Sequence, residues 1–136
     1  MNPAECFQKG LLRKIPVDPA RVKSALDLAD HYAGRAEGNL KIEFWDVAFL
    51  MAYNSMLQTG RALLFSKGVK ERSHACIVAY LRKHHPALSD EIELFDTYRQ
   101  NRHATQYDGL VVSENDAVQA VNDARDFLEK ARRILF

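Results

Sequence analysis

The chain lacks most of the features that give a function away. Its only two cysteines, Cys6 and Cys76, stand 70 positions apart with no CxxC pair, so reduced thiols are expected and not a disulfide framework. No window approaches the ~18 consecutive apolar residues of a membrane span, and residues 1–10 lack the charged-then-apolar order of a secretory leader. A cytoplasmic protein with no membrane partner is the expectation. An excess of one charge is missing too: the formal net charge of +1 creates no whole-molecule field, and any anionic partner must be held by a local patch. The five histidines, His31, His74, His84, His85 and His103, fall at no recognisable metal-ligand spacing, so no metal and no cofactor are expected and the histidines are assigned to surface or helix ends. Repeats, low-complexity tracts and linkers are absent as well. With 47% apolar and 27% charged residues, 136 residues fit one domain with a real core.

What is present is helical periodicity. Residues 1–12 form a short lead-in helix, broken at Ile15-Pro16-Val17. Asp18-Pro19 places an N-cap before proline at the first helical position, opening a helix to about Glu37 that Gly38-Asn39 should stop. The longest apolar-periodic segment, residues 43–67, predicts a central helix ended by Gly68. Ser73 caps a helix over 74–84 that Pro86 stops, and Ser89-Asp90 with Glu93 opens the next. Asp108-Gly109 is a turn, after which Ser113 and Asp116 start the last helix. Leu110-Val111-Val112 is the one strand-like run, too short for a sheet. The predicted architecture is all-α, an antiparallel up-and-down four-helix bundle with an extra short N-terminal helix.

Charge enters this pattern at unusual places. In residues 98–109 two arginines fall where a helix should bury apolar side chains. At about 100° per residue, Ile92, Leu94, Phe95 and Tyr98 form one stripe; Arg102 lies on its centre and Arg99 about 60° away. A charged head there is costly unless paired or facing a cleft. Arg61, near the apolar face of the central helix, has two readings: ion pairing with a carboxylate such as Asp96, or snorkelling to solvent. Residues 61–85 hold six Lys/Arg against Glu71 alone, which reads as solvated surface more readily than as a phosphate-facing patch, with Asp90, Glu91, Glu93 and Asp96 just beyond to neutralise it. Phe44, Trp45 and Phe49 read as core or interface anchors.

Three motifs together, Arg61-Ala62-Leu63-Leu64-Phe65-Ser66-Lys67-Gly68, Ser73-His74, and residues 99–109 with their Arg-x4-Tyr-Asp ending, resemble the HEPN family, the nucleotide-binding domain of higher eukaryotes and prokaryotes, in its small stand-alone prokaryotic branch. The motif-bearing part spans about 44–136. The resemblance implies a helical homodimer acting on RNA or nucleotide, and for active members metal-independent cleavage in which the 2′-hydroxyl attacks its own phosphodiester. It also implies a toxin-antitoxin-type module whose nucleotidyltransferase partner adds AMP to a tyrosine near the motif, here Tyr107. The chain departs from the family's Arg-x4-His pattern: after four intervening residues Arg102 is followed by Tyr107, and only three separate Arg99 from His103. Arg99, His103 and Tyr107 nevertheless share a helix face, so the candidate catalytic set is Arg99, Arg102, His103 and Tyr107 in a degenerate ribonuclease motif. The alternative is a non-catalytic helical interaction protein that uses the dimer cleft to bind a partner or anion.

Overall fold

The computed structural model describes residues 1–107, 109 and 111–136, with the side chains of residues 103, 104, 106 and 107 outside that description. Its elements in chain order are α1 (Pro3–Gln8), β1 (Leu12–Lys14), α2 (Pro19–Lys41), α3 (Trp45–Ser66), β2 (Val69–Glu71), α4 (His74–His84), a 3-10 turn (Pro86–Leu88), α5 (Ser89–Tyr107) and α6 (Glu114–Leu135). This is the predicted all-α bundle with a short N-terminal helix: α2, α3, α5 and α6 are its long members and α3 packs against all of the others.

The local start signals work as written in the sequence. Asp18 accepts from the Ala20 amide at 3.0 Å, with Pro19 following, and Ser113 accepts from the Asp116 amide at 3.1 Å. Ser73 caps α4 more loosely, 3.4 Å from the Cys76 amide. Gly38-Asn39 does not stop α2, which continues to Lys41. A helical glycine costs only about 1 kcal/mol, Leu40 packs against the core close by, and the reversal waits for Glu43, whose φ is 61°.

Two features near the N-terminus depart from expectation, a pair of strands and a disulfide where reduced thiols were expected. Val111-Val112 carry no strand, in keeping with a run too short for a sheet, but two other three-residue segments pair as β1 and β2, antiparallel with Leu12 opposite Glu71 and Lys14 opposite Val69. Three-residue strands have no periodicity to detect; their pairing is extended at both ends by Ile15 N–H donating to Gly68 O and Arg72 N–H donating to Leu11 O, each at 2.8 Å. The hairpin-like pairing carries α1 onto α4, and there Cys6 and Cys76 are joined by a disulfide, their Cα atoms 6.0 Å apart and both side chains buried. Separation along the chain was no guide to this bond, because the β1–β2 pairing closes the distance.

The main core surrounds α3: Tyr53, Met56 and Leu63 pack with Ile77 of α4, Phe95 of α5 and Phe127 of α6. Gly60 permits the close approach, since a Cβ there would lie 3.1 Å from the Ile77 side chain and 3.7 Å from the Phe95 ring. A second cluster, including Val22, Leu26, Phe65 and Leu128, ties α2 to α3 and α6. Of the three aromatics read as anchors, Phe49 is in the core and Trp45 packs partly against it, but Phe44 is 54% exposed because it precedes the first turn of α3.

Candidate anion-binding cleft

The inward stripe of α5 buries Ile92 and Phe95 completely and Tyr98 nearly so, with the Tyr98 hydroxyl donating to Asp123 of α6. One turn further, α5 passes the first turn of α4, and between them opens a cleft of about 470 Å³ lined by Ser73, His74, Ala75, Arg99, Gln100 and Arg102. The two arginines singled out by their helical angle therefore meet in one concavity. The first turn of α4 also turns its positive dipole end toward it.

Each arginine is held in a different way. Arg99 pairs with Asp96 on its own helix at 2.9 Å, and Asp96, whose side chain is only 15% exposed, also takes Arg82 of α4 at 3.1 Å. Arg82 is further fixed by two 2.7 Å bonds to Glu93, so the acidic run does lie against the basic stretch. Arg102, half-buried, sets its guanidinium carbon 5.0 Å from the centre of the Tyr53 ring. Tyr53 is 1% exposed and stacks on Phe95 with ring centres 5.7 Å apart. Arg61 pairs with Glu71 at 2.8 Å and lies over Phe65, not with Asp96, because β2 brings Glu71 back alongside α3.

Beneath the arginines is a residue that sequence reasoning assigns to the surface or to helix ends. His74 is half-buried and its Nδ1 lies 2.9 Å from the Tyr53 hydroxyl. Burial pushes the Tyr53 phenol up to about 12, against the opposing pull of Arg102 and Arg99, so the phenol keeps its proton. Burial, followed by the positive charge of Arg102, draws the His74 imidazole below its ordinary range, with Glu71 pulling the other way. The neutral form is thereby the resting one. The Ser73-His74 pair gave a hint in sequence; the contact with Tyr53 did not, because it joins two helices across 21 positions.

The remaining two candidates, His103 and Tyr107, belong by backbone to α5, and their side chains lie outside the described residues. Among the described residues no group of three or more His, Cys, Asp or Glu is placed to hold a metal ion, and no helix is long and apolar enough to cross a membrane. A larger groove of about 590 Å³, lined by Val17, Val22, Leu26, Leu135 and Phe136 among others, is mostly apolar, and of its two cations, Lys23 and Arg132, the first is paired with Asp27 in the same lining, so the α4–α5 cleft is the better seat for an anion.

The family model described as HEPN domain aligns with residues 9–134, a span that takes in β1 and α2 as well as the helices bearing the motifs. No curated protein matches the chain.

Proposed function

This chain belongs to the HEPN domain family, and from that premise we propose that it is a nucleotide- or RNA-directed protein that seats a phosphate in the α4–α5 cleft. The observation that carries the reading is the convergence of Arg99 and Arg102 on one concavity with His74. Guanidinium groups match phosphate oxygens in geometry, and a partly dry cleft strengthens their pull.

In this reading Arg99 and Arg102 bind the phosphate while His103 and Tyr107 complete a degenerate ribonuclease motif, Arg102-x4-Tyr107 in place of Arg-x4-His. A phenol of ordinary pKa, about 10, is a weak general base at neutral pH, so binding is favoured over cleavage. The wider setting proposed is a cytoplasmic homodimer in a toxin-antitoxin-type module, with a nucleotidyltransferase partner and Tyr107 as its target.

Two measurements test this. Arg102→Ala is expected to weaken binding of an RNA oligonucleotide about tenfold and to lower the salt slope by about one; unchanged affinity and slope would remove the cleft as the phosphate seat. Incubation with total RNA decides cleavage separately: RNA left equally intact by wild type, Arg102→Ala and His103→Ala establishes a binding protein and rejects the nuclease.

A further inference from the structure

We propose that His74, held by Tyr53, is a third and proton-coupled contact of the cleft, so that the protein takes up a proton when it binds a phosphodiester. The inference rests on the phosphate-seat reading above and adds to it a residue from α4 that the motif does not contain.

The geometry supplies the argument. His74 lines the same cleft as Arg99 and Arg102, and the Tyr53 hydroxyl occupies its Nδ1 at 2.9 Å. In the neutral tautomer that accepts from the phenol at Nδ1, the ring hydrogen sits on Nε2, the nitrogen left for a ligand. An N–H donor and two guanidinium groups then surround one space.

Without an anion, that space disfavours a third positive charge. Arg102 and Arg99 face His74 from α5, Arg61 faces it from α3, and among the described residues Glu71 of β2, itself bonded to Arg61, attracts the imidazolium. Asp96 is shared between Arg99 and Arg82. A phosphodiester between the arginines makes the local potential less positive and stabilises imidazolium over imidazole; the added proton goes to Nδ1, and the Tyr53 hydroxyl turns from donor to acceptor of that bond. By linkage, affinity must then rise as pH falls through the titration range of His74.

The probe is a short 2′-O-methyl RNA oligonucleotide, which has no 2′-hydroxyl to attack with and whose diesters do not titrate near neutrality. At constant ionic strength, wild-type affinity is expected to rise about tenfold from about pH 8 to about pH 5.5, the factor that follows when binding raises the titration midpoint of a single group by about one pH unit. His74→Gln should flatten that rise. Tyr53→Phe keeps the ring under Arg102 but removes the bond to Nδ1, and should move the midpoint of the rise upward. In the wild-type protein, the His74 ring resonances followed by NMR should titrate at higher pH with saturating oligonucleotide than without. An unflattened rise in His74→Gln, a rise abolished by His103→Gln in its place, or an unmoved His74 titration overturns the proposal while a weakened Arg102→Ala leaves the phosphate seat standing. Equal binding by Arg102→Ala and wild type overturns both.

Discussion

At Gly68 the backbone turns with φ of 68°, and a Cβ would lie 2.6 Å from the Ile15 carbonyl oxygen, which is backbone and has nowhere to go. Gly68→Ala is therefore expected to cost about 2 kcal/mol or more, seen as a lower midpoint in urea unfolding with an unchanged slope. Asp96 has a different constraint, since it bridges Arg82 and Arg99 from a largely covered position. Asp96→Asn should lower stability by about 1 to 2 kcal/mol, measured in the same way, because two guanidinium groups lose a shared counter-charge. Residues whose role is local were legible in the sequence: Asp18 and Ser113 each act within a few positions, as does Gly68 in ending α3 though not in its approach to Ile15, and the inward angle of Arg102 comes from helix geometry alone. Arg61 and His74 were not, because Glu71 and Tyr53 reach them only after the chain has folded back.

Among the elements, α4 is tied down at three points. Its cap is Ser73, its outer face is bonded through Arg82 to α5, and its first turn is joined by Cys76 to α1. Reduction of the Cys6–Cys76 bond is expected to cost about 4 kcal/mol, the scale for a closed loop of this length; unfolding with and without reductant measures it, and an intact mass unchanged by reductant would show that the bond does not form. The long helices were readable because apolar spacing and caps repeat over many residues. β1 and β2 were not, since three residues carry no period and exist as strands only through each other. The run of α2 through Gly38 was hidden for a related reason: packing of Leu40 outweighs a weak local stop.

For the whole molecule, the buried histidines set a pH dependence. Burial holds the imidazoles of His74 and His85 below their ordinary range, and Nε2 of His85 is enclosed with no hydrogen-bond partner among the described residues. The unfolded chain takes up protons near pH 6.5 while the folded one still resists, so folding stability is full above that pH and is lost as pH falls toward the folded-state values. The thermal midpoint should therefore drop between about pH 7.5 and about pH 5.5, and His85→Gln should drop less; an equal drop in the variant would assign the effect elsewhere. The site was half legible at this scale: the arginines of α5 pointed to it, while its other wall came from a helix whose position depends on α1, β1 and β2. The Cys6–Cys76 link also divides the molecule mechanically. Tension applied between the chain ends runs directly through the disulfide, bypassing α2 and α3 and loading only residues 1–6 and the segment C-terminal to Cys76. A pulled molecule therefore lengthens by roughly half its contour and keeps its central hairpin unloaded until the bond is reduced.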